Sequence, residues 1–157
     1  MKWFTISEMI HSATAVALKI WNGADLESER NLMSLIDCVL DPARERYGKA
    51  VHVSSGFRNK ELNTVIHGAS QSQHMRGEAA DLTTDGGPYG NLELAKIIIA
   101  LGHYDQVILE NVSNTNLLPQ WIHVSWRRNG QNRKEIRKKI VGSNQYPLVT
   151  RKEVFGV

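Results

Sequence analysis

The sequence predicts an α+β fold, an antiparallel sheet flanked by helices. Three observations carry this. A long helical pattern occupies residues 25–47, ahead of any strand-like run. Four short strand-like runs follow, at 50–54, 78–83, 105–110 and 121–126. The last two are joined by an Asn/Ser-rich loop, Asn111 to Asn116, as paired antiparallel neighbours are.

The elements follow in order. Thr5 and Glu8 form a T-x-x-E capping box that opens a short helix. In the 25–47 pattern, Leu32, Leu35, Ile36, Val39, Leu40 and Ala43 recur at helical spacing, and Gly48 supplies a stop. Pro42 removes a backbone donor inside that pattern, which predicts a kink or a break into two helices. Val51 and Val53 share one face of the first strand. Residues 59–66 read as a short helix, and the polar, glycine-bearing 67–77 as a loop. Asp85-Gly86-Gly87-Pro88 is a turn signal, and residues 91–101 form a helix ended by Gly102. Residues 127–139 hold seven Lys/Arg and one Glu. They read as a solvated turn and helix face; the functional alternative is attraction to an anionic polymer such as cell wall or nucleic acid.

The bulk numbers bound the answer. With 157 residues, 41% hydrophobic and 22% charged, the chain suits one domain over 1–157 with its own core. The net charge of +3 favours anionic partners only mildly. Cys38 is the single cysteine, so no intramolecular disulfide can form, and it reads as a small buried hydrophobe. Near the start, Lys2 stands alone and Glu8 and His11 interrupt the apolar positions, so no signal peptide is expected. No run reaches the length of a membrane span. The expectation is a monomer without membrane insertion or specific nucleic-acid binding. It is expected in the cytoplasm, so a substrate outside the membrane would need another agent to deliver the chain.

Three side chains fall where a metal site would want them. His74 lies in the polar loop, Asp81 seven positions on at a strand, and His123 a further 42 positions on in the last strand. Two His and one carboxylate are a typical catalytic zinc set, with a fourth position left for water. They would leave the ion a net charge of +1 and bring its water toward a pKa of ~7. A lone histidine is more often structural, but the surroundings favour a site. Gly77, Ala79 and Ala80 let the backbone approach closely, and alternation puts Trp121, His123 and Ser125 on one strand face.

Ser72-Gln73-His74-Met75-Arg76-Gly77-Glu78-Ala79-Ala80-Asp81 fits S-x-H-x-x-G-x-A-x-D. Ser54-Ser55-Gly56-Phe57-Arg58 stands upstream and Trp121-Ile122-His123-Val124-Ser125 downstream. From Phe4 to about Arg128 the chain resembles the zinc D-Ala-D-Ala carboxypeptidase and L-alanyl-D-glutamate endopeptidase family. That family includes phage endolysins and vancomycin-resistance dipeptidases, and shares its fold with the Hedgehog signalling domain. The closest likeness is to compact phage and prophage forms. The resemblance implies a Hedgehog/DD-peptidase-like fold, Zn2+ on His74, Asp81 and His123, and peptidoglycan peptides as substrate. It also makes Arg58 the arginine near the metal, where a guanidinium can hold a substrate carboxylate or steady an oxyanion. A structural salt bridge, for instance with Glu61, is the plainer role. Ser72 could hydrogen-bond substrate or simply cap the loop.

One position departs from the pattern. Many members carry Glu or Asp three residues before the last histidine, and here that residue is Gln120. An amide cannot take a proton from water. Glu110 is the replacement candidate: it shares a face of its strand with Tyr104, Gln106 and Ile108, and reaches the site if that is the His123 face. An exposed strand-end carboxylate is the alternative, and Asp105 and Glu78 are lesser candidates. The expected activity is therefore a zinc metallopeptidase cutting next to D-amino acids in peptidoglycan stems. The competing reading is a zinc-stabilised module that binds cell wall or protein without turnover.

Overall fold

The computed structural model describes all of residues 1–157. Two short helices, α1 (Ile6–Ile10) and α2 (Ala13–Leu18), come first. Thr5 caps α1 by accepting from the Glu8 N–H at 3.2 Å. Then α3 (Leu26–Leu35) runs through a π-helical turn, Ile36–Leu40, into α4 (Asp41–Tyr47). The helix predicted over 25–47 is therefore continuous. Pro42 does not break it, because it sits in the first turn of α4 directly after a π turn. Gly48, at φ 73°, ends it as expected.

Five strands follow: β1 (Val51–Ser55), β2 (Ala79–Thr84), β3 (Gln106–Val112), β4 (Trp121–Ser125) and β5 (Glu135–Ile140). Helix α5 (Lys60–Val65) and a 3-10 turn, Gln73–Arg76, lie between β1 and β2. Helix α6 (Gly87–Leu101) joins β2 to β3, and α7 (Arg151–Phe155) closes the chain. Helix α6 starts four residues before the expected 91, since Pro88 fits the first helical turn and needs no donor there.

The class is α+β, as the sequence predicts. The sheet order is β1-β2-β4-β3-β5. The first four strands pair antiparallel, and β5 joins β3 in parallel, so the sheet is mixed. This corrects the reading of 127–139 as a turn and helix face: its second half is a strand. The reason is period-two alternation in Glu135-Ile136-Arg137-Lys138-Lys139-Ile140, which buries Ile136 in the core and turns Arg137 and Lys139 the other way. Pro147 to Val149 then pairs along the outer edge of β5, covering it.

Helix α6 packs on β2, β3, β4 and α4. Ala80, Leu82, Leu109, Ile122 and Val124 face it from the sheet within one cluster of 26 buried residues that runs from Phe4 to Val154. Each large side chain there contributes roughly 1.5–3 kcal/mol. The other sheet face carries Asp81, Ile108, Glu110, His123 and Arg137 and is free of helices over its middle.

Asp105 pins the start of β3. It is fully buried, and its carboxylate accepts from the Arg133 N–H (2.8 Å), Arg133 Nη2 (2.6 Å) and Gln73 Nε2 (3.2 Å). Its carbonyl accepts from the Glu135 N–H at 3.1 Å, which sets the register of β5. Burial alone would raise the Asp105 carboxyl, but the Arg133 bonds win and hold it below its ordinary value of 3.8. A depressed folded-state value means that the ionised form stabilises the fold above pH ~4, and that this contribution is lost as pH falls through the lower folded value. Asp105→Ala is expected to cost about 3 kcal/mol in urea unfolding at pH 7. The gap between variant and wild type should narrow as pH drops below 4.

Candidate metal centre

Each of the three side chains reaches the cleft by a different local device. Asp81 and His123 are direct partners in the β2–β4 ladder, so backbone pairing alone sets them side by side on one face. His74 rides on the 3-10 turn. Ser72 caps that turn by accepting from the His74 N–H at 3.3 Å. Gly77 ends it at φ 71°, where a Cβ would lie 2.3 Å from the Ser28 carbonyl oxygen. That explains the glycine in the motif: the backbone needs the left-handed region and has no space for a side chain.

The ligating atoms converge. His123 Nδ1 lies 3.0 Å from Asp81 Oδ1, His74 Nε2 lies 3.3 Å from the same oxygen, and the two ring nitrogens are 3.2 Å apart. Three donors at 2.0–2.1 Å from a tetrahedral zinc would stand ~3.3 Å from one another, so the residues fit such an ion. His74 Nδ1 donates to the Gly56 carbonyl at 2.7 Å, which leaves the Nε2 lone pair aimed into the cluster. Burial pushes His74 down toward its neutral, ligating form. Burial would raise Asp81, yet the charge of His74 and the bonds from both histidines outweigh it and hold the carboxyl well below its usual range.

The cluster forms part of the floor of a cleft of about 730 Å³. Arg58 lines it, its Nη2 4.0 Å from Asp81 Oδ2; the plainer pairing with Glu61 does not form. Burial draws the Arg58 guanidinium below its ordinary value, and Asp81 opposes this. Ile108 pairs with His123 and Glu110 with Trp121, so Glu110 does lie on the His123 face. Burial raises the Glu110 carboxyl, partly offset by His123. Glu110 Oε2 and Arg58 Nε are both buried without a hydrogen-bond partner.

Other predicted residues are placed elsewhere. Gln120 is exposed and does not line the cleft. Asp105 is bound up with Arg133, and Glu78 pairs with Arg76 at 3.0 Å, so neither is free to act as a base. Ser72 both caps the turn and lines the cleft. Cys38 is half-buried against the core. The cleft also contains Arg137, Lys139 and Tyr146, which were not singled out from sequence. The alternation in 135–140 was the available signal for the first two; nothing local marked Tyr146.

A helix-backed α+β sheet with an open His-Asp-His cluster on its free face has the layout of a single-ion metal site. Residues 2–125 match the family model Peptidase M15, and the chain belongs to that family of zinc-dependent peptidases. No curated protein matches the chain.

Two outcomes follow for the site. His74→Ala should lower bound zinc from about one ion per chain to a trace, read by elemental analysis after dialysis. Gly77→Ala should cost about 1–3 kcal/mol in thermal unfolding, because it strains the backbone that carries His74.

Proposed function

We propose that the chain is a zinc metallopeptidase that hydrolyses peptide bonds next to D-amino acids in bacterial peptidoglycan stem peptides. The carrying observation is the placement of Glu110. Its unpartnered, buried carboxylate oxygen shares one cleft with the His74–Asp81–His123 cluster, where the sequence has Gln120 in the usual base position. The peptidoglycan assignment draws on the resemblance of the S-x-H-x-x-G-x-A-x-D segment and its flanks. It also draws on the basic lining of the cleft, which suits carboxylate-rich stems.

When bound, zinc supplies a Lewis acid for the scissile carbonyl and for attacking water. His74, Asp81 and His123 hold it, with His74 oriented through the Gly56 carbonyl. Glu110 is the general base: its carboxylate takes the proton from the attacking water and passes it to the leaving amine. Burial raises its proton affinity and so suits it to both halves of that transfer. Arg58 anchors a substrate carboxylate or the developing oxyanion, positioned by its 4.0 Å approach to Asp81 and by its own N–H, which donates to the His74 carbonyl at 3.2 Å. No helix is long and apolar enough to cross a membrane; the likeness to phage and prophage forms is what suggests release by lysis or carriage on a phage particle.

The test is muralytic activity of the zinc-loaded protein on purified peptidoglycan. Glu110→Gln should keep its zinc and lose at least about a hundredfold in turnover, while His74→Ala loses both. A fully active Glu110→Gln would remove the base assignment. Inactivity of every form, with zinc bound, would favour a binding module.

A further inference from the structure

One row of side chains crosses the whole sheet on its free face: Ser55, Asp81, His123, Ile108 and Arg137 are successive partners from β1 to β5. Two members are metal-site residues, and the row ends on a cation outside the family-matched segment 2–125. Lys139 lies two residues on along β5, and it lines the same cleft.

The cleft cations differ in what already neutralises them. Arg127 and Arg133 both pair with Asp105, Arg76 pairs with Glu78, and Arg58 stands beside Asp81. Arg137 donates Nε to Glu135 (3.0 Å) and Nη1 to the Tyr146 carbonyl (2.7 Å), which leaves Nη2 free. Lys139 has no ion pair and no hydrogen bond; its Nζ stands 5.7 Å from the centre of the Tyr146 ring. The cation on this side of the cleft with no direct partner is therefore Lys139; Glu110 feels its charge, and a braced Arg137 backs it. A half-buried cation without an ion pair, beside an aromatic ring and next to a guanidinium with spare donors, can take an anion.

Resting on the peptidase reading above, we infer that Lys139 and Arg137 form a subsite that binds a carboxylate of the peptide substrate away from the scissile bond. Strands lie ~4.8 Å apart, so β5 stands about 10 Å from His123 across β3. Lys139, two residues further along β5, stands about 12 Å away, and an extended peptide at ~3.3 Å per residue spans that gap in about three to four residues. The subsite thus reads either an acidic side chain at that distance or the chain-terminal carboxylate. Lys139 is the binding cation; Arg137 also holds the 146–148 segment in place, so Lys139 is the cleaner residue to vary.

The experiment uses three synthetic pentapeptides ending in D-Ala-D-Ala. One has glutamate at its central position, one has glutamine there, and one keeps glutamate with an amidated C-terminus. Binding to the full chain is measured by calorimetry on zinc-loaded wild type and on His74→Ala, and cleavage by chromatography. Lys139→Met is expected to weaken the glutamate peptide about tenfold and to leave the glutamine peptide within about twofold. Lys139→Arg should restore binding. If the Lys139 effect persists with glutamine and vanishes on C-terminal amidation, the carboxylate read is the terminal one. A Lys139→Met loss that is equal for all three peptides would overturn the subsite, since a cation acting through Glu110 or through folding would not discriminate between them. So would peptide binding that ignores the Lys139 charge, or no peptide binding at all. Binding that depends on Lys139 without any cleavage would sink the peptidase reading and leave the subsite standing.

Discussion

The pairing of β2 with β4 is the constraint on which the site depends. It sets Asp81 opposite His123, and a ladder fixes its partners to a fraction of an ångström without help from either side chain. A slip of one residue would turn Asp81 toward the core and Leu82 toward solvent. The core forbids that slip, because Ala80, Leu82, Ile122 and Val124 are fully buried on the opposite face. The apolar packing of α6 against the sheet therefore also holds the metal cluster in register. His74 is the one member not placed by the ladder. Its position rests on a tight glycine turn, on the bond to the Gly56 carbonyl, and on Gln73 reaching Asp105 across the sheet end.

The legible part of this protein was what repeats or what is chemically rare. The periodic run 25–47, the four antiparallel strands and the His-Asp-His constellation could be read from residue spacing and type. Alternation also puts Glu110 on one face with Gln106 and Ile108, and leaves open which strand lies beside that face. The reading failed where charge masked pattern. In 135–140, Arg and Lys suggested a solvated helix, yet their aliphatic stems tolerate a sheet surface while Ile136 fills the core. Parallel pairing of β5 with β3 was invisible, because it is set by the buried Asp105–Arg133 pair, 28 residues apart, and not by any local turn. The break expected at Pro42 is absent for a related reason: a π turn just before it widens the helix, and no local rule announces one.

Asp105 and Glu110 show how one strand divides structure from chemistry. Both are buried carboxylates on β3 or at its threshold. Asp105 meets a guanidinium, a backbone N–H and an amide, and its proton affinity falls. Glu110 keeps one oxygen unpartnered, and its proton affinity rises. Leaving a buried polar group unsatisfied costs about 1–3 kcal/mol, and Arg58 Nε adds a second such group across the same cleft. Stability alone would remove both, since apolar residues of similar size would be nearly neutral there. A core of 26 buried side chains can offset a cost of that size. Glu110 and Arg58 both line the cleft that holds His74, Asp81 and His123, whereas the other two buried atoms without a partner, on Asn63 and Ser125, belong to residues outside it. The unsatisfied atoms on Glu110 and Arg58 thus belong to residues that line the cleft, while the satisfied Asp105 network holds the start of the same strand in place.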